Sequence, residues 1–296
     1  MQRTHLMIGM PRTGKSTFIA ALYHVVESGQ VSDSLQLVDL GEDRKYLVEL
    51  RDQWLGCEEF DRTKLGEEQV VTLKLRDIHS NQQVEVVLPD ASGEDFRDQW
   101  EQRKSSKKID DLARQADGVL LFVHPDTVKN TVRINKNKLV AAVLADEDDN
   151  PAKVEQPLPE LEKKIPVEWK PEFSPTQVKL VELLQFLMRE PDIYPISRIV
   201  IVISAWDIVK DEFALPSNWM ATILPLLDQF LKSNSDRFPY KLFGLSAQGA
   251  PYCEDNKALH SKERQADRIE IISDVHAEYG LHDISAPIKW LMKTIE

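Results

Sequence analysis

Cysteine is nearly absent from this chain. Only Cys57 and Cys253 occur among 296 residues, which excludes a disulfide framework and a cysteine-built zinc cluster. So little cysteine fits a cytoplasmic location. Long apolar runs are missing as well, since no stretch approaches the roughly 18 apolar residues of a membrane span. Met1 to His5 lacks the basic-then-apolar layout of a secretory signal, so no cleaved leader is expected. The seven histidines show neither H-x-x-x-H nor H-E-x-x-H spacing, which argues against a histidine-built metal site. Positive charge is in deficit. With 37 basic against 49 acidic residues the net charge is −12, so a broad nucleic-acid platform and DNA binding are not expected.

What remains is ordinary globular material, 42% hydrophobic and 29% charged. Short apolar runs alternate with helical patterns, which points to a mainly parallel sheet covered by helices. His5 to Ile8 is the first apolar run, followed by a helical stretch from Lys15 to about Glu27. Val70 to Leu75 and Val84 to Leu88 read as a hairpin, with Ser80 and Asn81 in its turn. Gly118 to Val123 and Ile199 to Ile203 read as buried strands, and Lys241 to Leu245 as a last short one. Val178 to Met188, Ala221 to Leu231 and Pro287 to Ile295 read as helices. Residues 28–68, 126–175 and 248–283 exceed a minimal layered domain, and they read as insertions within one domain spanning 1–296. The acidic, proline-rich middle one suits a solvated excursion facing a partner.

Four motifs carry chemistry. The segment Gly9-Met10-Pro11-Arg12-Thr13-Gly14-Lys15-Ser16, with Thr17 behind it, matches G-x-x-x-x-G-K-[ST] between a strand and a helix. Backbone N–H groups of such a loop cradle phosphates, and the helix aims its positive end at them. Lys15 reaches the terminal phosphates, and Ser16 joins the shell of Mg²⁺. Asp90-Ala91-Ser92-Gly93 follows a strand, where the aspartate holds Mg²⁺ through water and the Gly93 N–H senses the terminal phosphate. Ser204-Ala205-Trp206-Asp207 offers a carboxylate for guanine N1–H and its exocyclic amine. Ser246-Ala247 offers a backbone N–H to the guanine carbonyl.

In this order the motifs resemble GTPases of the translation-factor and Ras-like (TRAFAC) class of P-loop proteins. The resemblance implies an α/β, three-layer P-loop NTPase domain, small-GTPase-like, with a mainly parallel sheet, one antiparallel hairpin and three insertions. It implies bound GTP or GDP with Mg²⁺, slow hydrolysis, and a protein effector or regulator. Where the class has N-K-x-D, this chain has S-A-W-D, so Ala205 replaces the lysine that packs along the base. Trp206 either covers part of the base or belongs to the core. Thr63 is the candidate switch threonine for Mg²⁺ and the terminal phosphate, and Glu94 stands where many members keep a water-positioning glutamine. Arg12 resembles the built-in arginine finger of guanylate-binding proteins; the alternative is a loop residue paired with a surface carboxylate. Shorter phrases, Ile8 to Ser16, Trp54-Leu55 with Arg62-Thr63, and Ser92-Gly93-Glu94, resemble the bacterial double-GTPase type. Those proteins are associated with conflict systems directed against phages, which implies a switch acting on an effector in antiviral defence. Two rivals remain: an ATP-using P-loop enzyme such as a kinase, for which no arginine-rich lid is obvious although Arg97, Arg103 and Arg114 keep it open, and a scaffold that never turns nucleotide over.

Overall fold

Five β-branched residues in a row, Ile199 to Ile203, leave no polar face for water, and a strand of this kind must be covered on both sides. In the computed structural model every residue of that strand is buried, and it lies inside a sheet clad by helices. The structure describes residues 3–39, 44–58, 60, 69–90, 100–129, 170–188, 190–251, 264–275 and 280–293. Its strands are β1 (Arg3–Gly9), β2 (Gln36–Asp39), β3 (Gln69–Arg76), β4 (Gln83–Asp90), β5 (Gly118–Val123), β6 (Arg198–Ser204), β7 (Tyr240–Ser246) and β8 (Glu270–Ser273). Its α-helices are α1 (Lys15–Ser28), α2 (Arg44–Gly56), α3 (Lys107–Gln115), α4 (Thr176–Met188), α5 (Pro216–Ile223), α6 (Pro225–Ser233) and α7 (Ala286–Met292).

Among the described residues the strands form one sheet in the order β2-β3-β4-β1-β5-β6-β7-β8. The five strands from β4 to β7 run parallel. The expected hairpin is β3–β4, with Asn81 in its turn at a left-handed φ of 55°. Two further antiparallel strands, not anticipated, extend the edges: β2 pairs with β3, and β8 with β7. Both come from stretches read as insertions, so residues 28–68 and 248–283 contribute to the sheet itself.

Side chains alternate between the faces, as a pleated strand requires. Met7, Leu120, Phe122, Val200 and Val202 meet one apolar cluster with α1, α2 and α7. Leu6, Ile8, Val119, Leu121, Ile199 and Ile201 meet a second with α3, α4, α5 and α6. The central α1 is buried continuously from Phe18 to Val26. The stretch expected as one helix around Ala221 to Leu231 is two. Pro225 has no N–H to donate and its ring clashes with the preceding turn, so α5 ends at Ile223 and α6 starts afresh at Pro225. From β1 the chain first builds the side of the sheet that holds β2, β3 and β4, then crosses to the other side to add β5 to β8. Such a reversal opens a crevice at the C-terminal ends of parallel strands, where ligands of open α/β sheets bind.

Candidate functional site

Strand register fixes which residues emerge together at that edge. β1 pairs with β5 so that Gly9 lies opposite Phe122. Its pairing with β4 sets Leu6 opposite Val87, and continuing that register for three residues brings Gly9 level with Asp90. Val123 lies opposite Ile203, and Ser204 opposite Leu245. The ends of β1, β4, β5, β6 and β7 at Gly9, Asp90, Val123, Ser204 and Ser246 therefore lie along one edge of the sheet.

The glycine loop is tightly seated. A Cβ on Gly9 would stand 2.7 Å from the Phe122 carbonyl oxygen, so β5 leaves room there only for hydrogen. Gly14 caps α1 at a left-handed φ of 80°, and a Cβ on it would stand 3.2 Å from the Ser204 Cβ. Arg12 is exposed, also left-handed at φ 59°, and no described carboxylate pairs with it. Thr13 is buried and its hydroxyl donates to the Met10 carbonyl at 2.8 Å. The Lys15 ammonium donates to the Gly9 and Met10 carbonyls at 2.9 and 3.0 Å and reaches Thr13 Oγ1 at 3.4 Å. These bonds hold the ammonium against the loop. Pro11, Ser16 and Thr17 are half-buried beside it.

The other end of the edge is built from β6 and β7. Ser204 is buried and its hydroxyl donates to the Val123 carbonyl at 3.2 Å. Ala205 takes a left-handed φ of 48°, and Asp207 follows in a single 3₁₀ turn. The Ser246 hydroxyl donates to Asp207 Oδ1 at 2.5 Å and accepts from the Gly249 N–H at 3.0 Å. The structure thus joins the two short motifs read separately in the sequence. Trp206 stands apart from them. Its indole is 1% exposed and lies in the core against Gly244, where any Cβ would come within 2.5 Å of Trp206 Cδ2. Of the two openings left by the sequence, the ring occupies the core.

Three residues at this edge were not singled out as site residues. His124 follows β5 directly, and its Nδ1 accepts from the Asp126 N–H at 3.2 Å. Burial pushes its pKa below the ordinary histidine value, partly opposed by the carboxylates of Asp126 and Asp207. Its only sequence signal was a polar side chain ending a fully apolar strand. Trp54, fully buried on α2, donates its indole N–H to the Ala247 carbonyl at 3.1 Å. Arg268 is 1% exposed, with its guanidinium 3.8 Å from the centre of the Trp54 ring. Asp90 is the last residue of β4. Thr63, Gly93 and Glu94 lie outside the described residues.

A glycine loop leading from a central parallel strand into a helix, at the point where the sheet reverses direction, defines a P-loop nucleotide-binding protein. A family model described as Double-GTPase 1 matches residues 6–291, and the chain belongs to that family. Three solved structures were also found similar to it. The bacterial selenocysteine-specific elongation factor EF-Sec aligns at 14% identity and a TM-score of 0.36, covering 87% of this chain and 28% of that one. The S. cerevisiae Ski7 GTPase-like domain bound to GTP aligns at 10% identity and a TM-score of 0.39, covering 83% and 43%. The same domain bound to GDP and inorganic phosphate aligns at 11% identity and a TM-score of 0.41, again covering 83% and 43%. The chain thus spans less than half the length of each. No curated protein compared with the chain matches it. Among the described residues, no helix is long and apolar enough to cross a membrane.

Proposed function

We propose that this chain binds GTP with Mg²⁺ at the C-terminal edge of its parallel strands, hydrolyses it slowly, and lets the bound nucleotide set its engagement with a protein effector. In this reading the backbone from Gly9 to Thr13 and the N-terminal turn of α1, with Ser16 and Thr17, embrace the phosphates. Lys15 exchanges its loop carbonyls for the β- and γ-phosphate oxygens. Ser16, Asp90 and Thr63 are hard oxygen donors of the kind Mg²⁺ accepts, and one or two protein oxygens suffice because the ion keeps waters and takes phosphate oxygens. An Mg²⁺ held by these residues would supply neutralisation of phosphate charge. The Gly93 N–H meets the γ-phosphate, and Glu94 orients the attacking water. Arg12, free of any described carboxylate, folds over the phosphates and offsets charge that grows on the leaving oxygen.

The observation that carries the guanine reading is the contact between Ser246 and Asp207. It joins the Asp207 carboxylate to the residue directly before Ala247, which supports the two reading one base together. A carboxylate there accepts guanine N1–H and the exocyclic amine, a pair that adenine does not present. Support for an effector comes from the stretch after β5. Its two ends are clasped, with the Lys129 N–H donating to Thr176 Oγ1 at 2.9 Å and the Thr176 N–H to the Lys129 carbonyl at 3.2 Å. The acidic, proline-rich sequence between these clasped ends suits a solvated surface that meets a partner. Support for a place in bacterial antiphage defence is the family alone.

The test is the nucleotide released from the purified protein by denaturation. Guanine nucleotide is expected, and its amount should fall in Asp207→Asn. Adenine nucleotide in its place would overturn the reading.

A further inference from the structure

The base-reading loop after β7 is held from two sides, and only one of them belongs to the P-loop motifs. From β6 comes Asp207, joined to Ser246. From the other side comes Trp54 on α2, whose indole N–H donates to the Ala247 carbonyl across 193 residues of sequence. The bond fixes the peptide plane between Ala247 and Gln248. Because a trans amide holds its C=O and N–H on opposite sides, the Gln248 N–H is then directed away from Trp54.

Trp54 is itself secured. Arg268 lies over its ring and donates through Nη2 to the Trp54 carbonyl at 2.7 Å and through Nη1 to Cys57 Sγ at 3.0 Å. Among the described residues no carboxylate pairs with this buried guanidinium. Its charge is met by the indole's negative face and by the carbonyl end of α2, where a helix dipole favours a cation. A buried cation without an acid is poorly explained by stability, since apolar residues of similar volume usually do as well or better. His24 of α1 adds a ring 5.3 Å from the Trp54 ring. These contacts hold the indole in place, with its N–H on the Ala247 carbonyl.

We infer that Trp54 is a positioning residue for base recognition, and that α2 belongs to the nucleotide site through it. The inference rests on the guanine reading proposed above. Trp54 touches no ligand atom; it sets the orientation in which Gln248, next to Ala247, presents its amide to the guanine 6-carbonyl.

The test compares GDP and ADP by calorimetric titration of the full chain, as purified and as Trp54→Phe, which keeps an aromatic ring and loses the N–H. GDP affinity should fall roughly three- to tenfold, the worth of one hydrogen bond. ADP has no 6-carbonyl and should bind as before, so the GDP-to-ADP ratio narrows by the same factor. Hydrogen exchange at the Gln248 amide should quicken. If Trp54→Phe fails to fold, Arg268→Lys is the second variant; it keeps the charge, loses the fork that steadies Trp54, and should narrow the ratio in the same direction. An unaltered chain that prefers GDP, with an unchanged ratio in a folded variant, overturns this inference alone. An unaltered chain that binds GDP and ADP equally overturns the guanine reading and this inference with it.

Discussion

The two ends of the candidate site are built by opposite means. At the phosphate end, every hydrogen bond of Lys15 and Thr13 described above spans six residues or fewer. At the base end, Asp207 and Ser246 meet across 39 residues, Trp54 and Ala247 across 193, and Arg268 and Trp54 across 214. Although the loop's glycines pack against Phe122 and Ser204, the residues that form it are neighbours in the chain, so its signature stands in consecutive letters. An end assembled by distant segments exists only once the sheet has set its register, and damage to it can begin far from the ligand.

The largest expected effect belongs to the local end. Arg12→Ala should lower single-turnover GTP hydrolysis by about 10³-fold or more, the contribution of an arginine finger, while GTP affinity stays near normal. An unchanged rate at saturating GTP would remove Arg12 from the chemistry. At the assembled end, Asp207→Asn should weaken GDP by about 1–3 kcal/mol and leave ADP unaffected, as measured by titration. Equal losses for both nucleotides would mean that the carboxylate shapes the fold rather than reads the base.

A change in the shared body of the sheet should move stability and neither end. Burial holds His5 of β1 far below its ordinary value, at a pKa of about 3. Between pH ~6.5 and ~3 the unfolded chain therefore binds a proton that the native protein refuses. Stability present above pH ~6.5 is lost as the pH falls, by at most about 1.4 kcal/mol per unit from this group. His5→Leu should flatten that acid limb in denaturant titrations and leave GDP affinity near pH 7.5 unchanged. The smallest effect is expected from replacing residues 132–168 by a short Gly/Ser linker. The clasp between Lys129 and Thr176 remains, so GDP affinity should shift by less than about twofold. A collapse of binding in the folded deletion would tie that stretch to the site.

The same contrast governs what was legible in the sequence. The central strands, the glycine loop and α1 were readable because period, length and motif are local properties. β2 and β8 were not, since each has four residues and β2 is largely exposed, with no apolar run to mark it. α3 carried a readable N-cap, Ser106 accepting from the Ile109 N–H at 3.3 Å, ahead of a very polar helix. The break before α6 was written in Pro225 and passed over because Leu224 and Leu227 keep an apolar spacing. Trp206 shows the limit from the other side. Its place depends on Gly244, thirty-eight positions later, and a glycine inside a strand signals a close approach without naming what approaches. Arg268 gave no motif, and Trp54 entered only as part of a short family phrase with no role attached, because their role lies in a contact and not in a spacing.

The most direct test of the account is the affinity of the purified chain for GDP and ADP, measured side by side with Mg²⁺ by isothermal titration. The joining of Asp207 to Ser246 beside Ala247 predicts GDP binding tighter than ADP by at least about tenfold, the worth of one or two hydrogen bonds to a charged group. Equal affinities, or a preference for ADP, would contradict it.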